Sequence, residues 1–213
     1  MSTLQNLLPG QMAPTHIVVG THNAKKLSEL TQLLSALPLQ LKSLAEVAEP
    51  LTVEETGASF IENARLKASQ QAVHLGCWTI GEDSGLCVPS LGGAPGIHSA
   101  RYSDPGATDQ RNNEKLIDEL RNSDDDQRRA YYVCTIALSA PDGTIYIEAE
   151  GRCHGRIIRE YRGEGGFGYD PLFEIPEYHL TFAELGAAVK SVLSHRARAL
   201  EKFSRQLMHL MRT

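Results

Sequence analysis

The sequence predicts a single mixed α/β domain, and three observations carry that expectation. A β-branched run, His16-Ile17-Val18-Val19-Gly20, passes through a polar turn straight into leucines at helical spacing, the opening half of an α/β unit. Strand-like and helix-like segments then alternate to the end of the chain. No internal repeat, low-complexity tract or linker divides the 213 residues, a length that buries a core as one large domain.

The elements follow in order. Residues 1–14 read as a polar N-terminal extension, and the folded domain is expected over 15–213. After the first strand, Leu27, Leu30, Leu33, Leu34 and Leu37 keep helical spacing until Pro38 stops the pattern. Residues 39–44 alternate apolar and polar, as a strand does. Ser59-Phe60-Ile61-Glu62 has capping-box spacing and starts a helix lasting to about residue 75. Residues 77–80 form a buried strand, expected to end at Gly81-Glu82-Asp83-Ser84-Gly85. Residues 90–106, crowded with Gly, Pro and Ser, make a long ordered loop, and such loops in a compact domain are usually functional. Thr108 starts a helix through Leu116, Ile117 and Leu120. Asp124-Asp125-Asp126 reads as a solvated connector. Pro141-Asp142-Gly143 turns a hairpin between strands at 131–139 and 144–150. A second glycine-dense loop spans 163–171, and Thr181-Phe182-Ala183-Glu184 is another capping box. A last helix, from about 191 to 212, sets Leu193, Ala197, Leu200, Phe203, Leu207 and Leu210 near one face.

Composition narrows the function. With 21 basic and 26 acidic side chains the net charge is −5, which argues against a dedicated nucleic-acid-polymer binder but leaves small anionic substrates open. No apolar run is long enough to span a bilayer, and the first residues lack the basic start and apolar stretch of a secretory signal. Cys77, Cys87, Cys134 and Cys153 are irregularly spaced, with no zinc-ligand pattern. They read as buried free thiols of a cytoplasmic protein, without a membrane partner.

Four segments could carry chemistry. Thr21-His22-Asn23-Ala24-Lys25-Lys26 lies where a strand turns into a helix, and a helix N-terminus with added donors and lysines suits a phosphate. It is neither a P-loop nor a dinucleotide fingerprint, and an ordinary capped helix with exposed lysines is the competing reading. Glu54, Glu55, Glu82 and Asp83 form a carboxylate set of the hard-oxygen kind that suits Mg²⁺, with surface acids in loops as the alternative. Asp83, flanked by Gly and Ser, is the strongest of them. Ser84 is not in a G-x-S-x-G elbow and is rejected as a hydrolase nucleophile. Gly165-Gly166-Phe167-Gly168-Tyr169-Asp170-Pro171 could form a platform for a base, or a plain turn with its aromatics in the core. Lys190, His195 and Arg196 sit at the start of the last helix, where cations oppose the dipole unless anions are near.

Together these segments resemble the inosine-triphosphate pyrophosphatase (Ham1/RdgB-like) family. The matching stretches are residues 21–26, Glu54-Glu55-Thr56-Gly57, residues 60–64, Asp83-Ser84-Gly85-Leu86, residues 92–102, 166–171 and 190–196, collinear and with family-like spacing. His22 and Lys25 stand where the family's first turn has glycines, and Glu82 stands where bacterial members carry an aspartate. The resemblance implies hydrolysis of deaminated purine nucleoside triphosphates (ITP, dITP, XTP) to monophosphate and pyrophosphate with Mg²⁺. It implies two lobes around a long twisted sheet, a substrate cleft between them, and a homodimer. It assigns Glu54 and Asp83 to the metal, with Asp83 also the general base, and Thr21, His22, Asn23, Ala24, Lys25 and Lys26 to the phosphates. Ser84 would touch substrate near the metal, and Phe167, Gly168 and Tyr169 would border the base. Asp170, Lys190, His195 and Arg196 would supply polar readout or hold the sugar and phosphate. A Maf-like nucleotide pyrophosphatase and a catalytically silent nucleotide-binding protein are the alternatives.

Overall fold

The computed structural model describes residues 14–21, 23–35, 37 and 39–212. The expected N-terminal extension, apart from Pro14, and the expected stop at Pro38 lie outside the described residues. Seven strands form one sheet: β1 (His16–Val19), β2 (Gln40–Ser43), β3 (Thr79–Cys87), β4 (Arg129–Ser139), β5 (Ile145–Ile157), β6 (Phe173–Ile175) and β7 (Leu180–Thr181). Their order is β2-β1-β3-β4-β5-β6-β7. β1 runs parallel to β2 and β3, and every later pair is antiparallel. A parallel neighbour needs a crossover. The helix α1 (Ala24–Leu34) supplies it between β1 and β2, and α2 (Phe60–Leu75) precedes β3. The remaining helices are α3 (Asp109–Glu119), α4 (Phe182–Leu193) and α5 (His195–Leu210).

Each helix starts on a side-chain cap that satisfies otherwise orphaned N–H groups: Asn23, Ser59, Thr108, Thr181 and Ser194. Thr181 and Glu184 close the expected capping box. At α2 the Ser59 hydroxyl accepts from the Glu62 N–H as expected, but Glu62 reaches one residue further back, to the Ala58 N–H. Gly76, at φ 62°, ends α2 in the left-handed conformation that glycine adopts freely.

Two apolar clusters lie along the sheet. One gathers Ile17, Val19, Leu30 and Leu34 with Ile80, Ile136, Leu200, Phe203 and Leu207. The other gathers Leu86, Val88, Leu116 and Leu120 with Tyr132, Ile157, Phe173 and Phe182. Burying each large apolar side chain contributes about 1.5–3 kcal/mol. β3 runs from the first cluster (Ile80) to the second (Leu86), so Glu82 to Gly85 pass between the cores.

Three expectations are corrected. β3 does not end at Gly81 but continues to Cys87, paired residue for residue with β4 from Thr79↔Ser139 to Cys87↔Tyr131. Its glycines mark close packing, not a turn. A Cβ on Gly81 would lie 2.1 Å from the Ala64 carbonyl oxygen of α2, and one on Gly85 would lie 2.4 Å from the Gly96 carbonyl oxygen. β5 likewise runs past 150 to Ile157, and Gly151 and Gly155 meet the α5 backbone and Phe173 in the same way. The last helix starts at His195, because Ser194 leaves the helical region (φ −67°, ψ 158°) to cap it; Lys190 belongs to the last turn of α4. The glycine-rich loop at 90–106 also holds two short 3₁₀ turns, Pro89–Leu91 and Gly96–Arg101.

Candidate active site

A cleft crosses the middle of β3. It consists of two cavities of about 110 and 260 Å³ that share Asn23 and Lys26. The smaller is walled by Phe167, Gly168, Tyr169, Asp170, Lys190, His195 and Arg196; the larger by Thr21, Leu51, Val53, Glu55 and Lys67. Asn23 sits at the junction and its side-chain oxygen accepts from the Lys25 and Lys26 N–H groups, both at 3.1 Å. Two of the helix-terminal donors are therefore already used, and the cationic side chains are the main anion-attracting feature of this turn. The Thr21 hydroxyl accepts from the Asn23 N–H at 3.2 Å. Ala24 is the exposed first residue of α1, and His22 lies outside the described residues.

Strand alternation gives the two central carboxylates different surroundings. Glu82 faces α5 and α1, with Arg196 Nη2 at 3.0 Å, Lys26 Nζ at 3.1 Å and the Cys134 thiol at 3.3 Å. Asp83 faces α2, with Lys67 Nζ at 2.9 Å and Asn63 Nδ2 at 3.3 Å. Burial works to raise the Glu82 pKa, but Lys26 and Arg196 outweigh it and hold the carboxyl well below the usual range. Burial raises Asp83, and Lys67 and Lys26 offset it only in part, so its carboxyl stays above the ordinary 3.8. The two adjacent acids thus differ in proton affinity, Glu82 held ionised and Asp83 more readily protonated than a free aspartate.

Lys67 also meets Glu55 at 2.8 Å, and Arg101 reaches the same carboxylate at 3.4 Å. Burial would lower the Lys67 pKa; Asp83 and Glu55 outweigh it and raise it. Glu54 is exposed and makes no side-chain hydrogen bond or ion pair among the described residues. Among those residues no group of three or more His, Cys, Asp or Glu is gathered for a metal.

On the other side of the junction, Ser84 and Glu82 share the Arg196 guanidinium, which also pairs with Glu29. Arg196 is 1% exposed. Its two terminal nitrogens are spent inside the protein while Nε is unpartnered among the described residues, so it braces β3 against the helices, and the anions nearby answer the dipole conflict read in the sequence. Lys190 Nζ lies 2.6 Å from Asp170 and 4.2 Å from the Phe167 ring centre. Lys25 Nζ lies 5.3 Å from the same ring centre and 3.9 Å from Asp109. The Tyr169 ring is in the core and its hydroxyl donates to the Ser99 carbonyl. Gly168 is clamped by α3, its N–H on Asp109 and its carbonyl on Asn113. His195 stacks on Tyr132 (centroids 4.7 Å, 11°) and keeps an unpartnered buried Nδ1. Burial first, then Arg196 and Lys190, hold its imidazole neutral, well below 6.5.

The cleft thus brings together Thr21, Asn23, Lys26, Ser84, Phe167, Gly168, Tyr169, Asp170, Lys190, His195 and Arg196; Asp83 is buried beside it, paired with the cavity-lining Lys67, and Glu54 is exposed between the lining residues Val53 and Glu55. Sequence reading missed Lys67, Asn63 and Glu29. Asn63 and Lys67 are four apart on one face of α2, a spacing visible in the sequence, but only the fold aims that face at Asp83.

The profile of the Ham1 family matches residues 17–206. A dITP/XTP pyrophosphatase of Rhodopirellula baltica is 49% identical over 197 residues, covering 92% of this chain and 95% of that protein. One from Pseudomonas syringae pv. tomato is 48% identical over 189 residues, covering 87% and 93%. Among solved structures, a HAM1 protein from Coxiella burnetii superposes with a TM-score of 0.84 at 38% identity, covering 91% of this chain and 98% of that one. The Ham1 protein of Staphylococcus aureus gives 0.82 at 36%, covering the same shares. With fold and sequence in agreement over almost its whole length, this chain belongs to the Ham1 family.

Proposed function

We propose that this chain hydrolyses deaminated purine nucleoside triphosphates, ITP, dITP and XTP, to the monophosphate and pyrophosphate. The observation that carries the reading is the Glu82–Asp83 pair: two adjacent buried acids, shifted oppositely in proton affinity, each held on a lysine that lines the cleft, Glu82 on Lys26 and Asp83 on Lys67. In this reading the base enters the smaller cavity and the β and γ phosphates the larger, which sets the α-phosphorus at the junction. Asp83 takes the proton of a water whose oxygen bonds to the α-phosphorus. The bond to the α,β-bridging oxygen breaks, and its electron pair leaves with pyrophosphate. Lys26 and Lys67 offset the phosphate charge, the dominant need in such transfers. Glu82, kept ionised, holds Lys26 and Arg196 in place.

Mg²⁺ fits this donor set, since it is held by one or two carboxylates together with substrate phosphates and waters. Asp83 and the uncommitted carboxylate of Glu54 are the residues proposed to hold it. When bound, it supplies charge neutralisation on the triphosphate. A homodimer belongs to the same reading through the family resemblance. A cytoplasmic setting is supported by four free thiols, and no helix among the described residues is long and apolar enough to cross a membrane.

For the base, the His195 Nδ1 is an unpartnered buried polar atom on a residue that lines the smaller cavity. As a neutral imidazole protonated there, it donates to a 6-keto oxygen and faces the amino group of adenine unfavourably. One such mismatch is worth about 1–3 kcal/mol, so ITP and XTP should exceed ATP in kcat/KM by about fivefold to a hundredfold or more. The test is turnover with Mg²⁺ in ¹⁸O-water. Pyrophosphate should appear first, with the label in the monophosphate. Label in pyrophosphate, or equal kcat/KM for ITP and ATP, overturns the reading.

A further inference from the structure

Gln71 lies on α2 one turn beyond Lys67 and is 1% exposed. Neither its amide oxygen nor its amide nitrogen has a hydrogen-bond partner among the described residues. Buried amides are nearly always paired, and an exception in a native fold asks for a cause. The same side chain forms part of the wall of the larger cavity, with Gly20, Thr21, Leu44, Leu51 and Val53 around it and Lys26 and Lys67 on the same wall. A cavity lined by an unsatisfied amide and two lysines is suited to an anion with several oxygens. The amide is poorly suited to the apolar contacts that Leu44, Leu51 and Val53 offer.

We propose that Gln71 is a substrate-binding residue: its amide N–H donates to an oxygen of the pyrophosphate half of the triphosphate. The assignment rests on the reading above, in which that half occupies the larger cavity. Asn23 and Lys26, shared by both cavities, fix the α-phosphate position. Gln71 belongs to the larger cavity alone, so it contacts the half that leaves. A contact made equally in ground and transition states changes KM and leaves kcat in place.

The experiment compares the parent with Gln71→Leu, which keeps the packing volume, and Gln71→Glu, which keeps the shape and adds a negative charge. Steady-state turnover of ITP is measured with Mg²⁺, and pyrophosphate and inosine monophosphate are titrated separately by calorimetry. Gln71→Leu should raise the KM for ITP and the Kd for pyrophosphate together, by roughly tenfold (about 1.4 kcal/mol), with kcat within twofold and monophosphate affinity unchanged. Its Tm should rise, because an unpaired buried amide has been removed. Gln71→Glu should weaken pyrophosphate further. An active parent with unchanged KM and pyrophosphate Kd in Gln71→Leu overturns the assignment alone. A parent that neither turns over ITP nor binds pyrophosphate overturns the reading of the cleft, and the assignment with it.

Discussion

Glu82 and Asp83 differ by one methylene and one position, yet the pleat of β3 hands one to Arg196 and Lys26 and the other to Lys67 and Asn63. Asp83→Asn removes the proton acceptor while preserving size and the Asn63 neighbour. It should lower kcat by roughly 10²–10⁴-fold, the usual worth of a general base. The unfolding midpoint should be no lower than the parent's, because burial disfavours the Asp83 charge and Lys67 keeps Glu55. Near-normal turnover at saturating Mg²⁺ would sink the assignment. Glu54→Gln separates metal holding from structure. Its carboxylate holds nothing in the fold, so stability should stay within about 0.5 kcal/mol. The Mg²⁺ concentration for half-maximal rate should rise roughly tenfold, about 1.4 kcal/mol of ion affinity. An unchanged Mg²⁺ titration removes Glu54 from the site. Asp83 was singled out in the sequence because Gly85 and Ser84 beside an acid signal close approach, and the fold does place it at a buried, closely packed point of β3. Lys67 was not, since a lysine on an amphipathic helix reads as solvent-facing until the helix is docked.

At the scale of elements, the packing of α2 on β3 positions Lys67 over Asp83, and it depends on Gly81. An added Cβ would meet Ala64 O at 2.1 Å and Ala68 N at 2.5 Å, both backbone atoms that cannot swing aside. Gly81→Ala should therefore cost at least about 2 kcal/mol in chemical denaturation, at the upper side of ordinary overpacking, and reduce turnover as Lys67 shifts. Gly92→Ala is the control. Its Cβ meets nothing within 4 Å, so only the left-handed backbone (φ 65°) is penalised, by about 1 kcal/mol. Equal losses in the two variants would refute the packing argument. The same glycine explains where sequence reading erred. Ser59, Thr108 and Thr181 were readable as caps because capping is local chemistry within four residues. The length of β3 was not, because glycine signals both turns and close approach, and the partner that decides between them is Ala64, seventeen positions away in the chain. The break at Ser194 was hidden for a similar reason: apolar spacing continues across it, while the backbone leaves the helix to cap α5.

Across the whole molecule, one chain of charges joins the two sides of the cleft: Lys26 to Glu82, Glu82 to Arg196, Arg196 to Glu29, Glu29 to Lys190, and Lys190 to Asp170. Buried ion pairs of this kind add little net stability, but removing one partner strands the next. The network surrounds His195, whose ring faces Tyr132 on one side and lies near Arg196 and Lys190, which oppose its protonation, while Glu82 favours it more weakly. Acid therefore acts on the fold through this imidazole. Its folded pKa is depressed well below 6.5, so below pH 6.5 the unfolded chain binds a proton that the native chain refuses. Stability is full above pH 6.5 and declines as pH falls towards the folded value, with a limiting slope of about 1.4 kcal/mol per pH unit for one proton. Glu82 works in a lower window. Its depressed carboxyl contributes stability that is complete above 4.5 and is lost only as pH falls through its folded pKa. Urea unfolding from pH 7.5 to 5 should then show the parent losing stability as pH falls below 6.5, the loss steepening towards the acid end. His195→Gln, which cannot titrate, should be less stable at pH 7.5 through loss of the Tyr132 stack, yet nearly flat across the same range. A parallel decline in both proteins would show that other groups set the acid sensitivity and that His195 is free to protonate in the folded cleft.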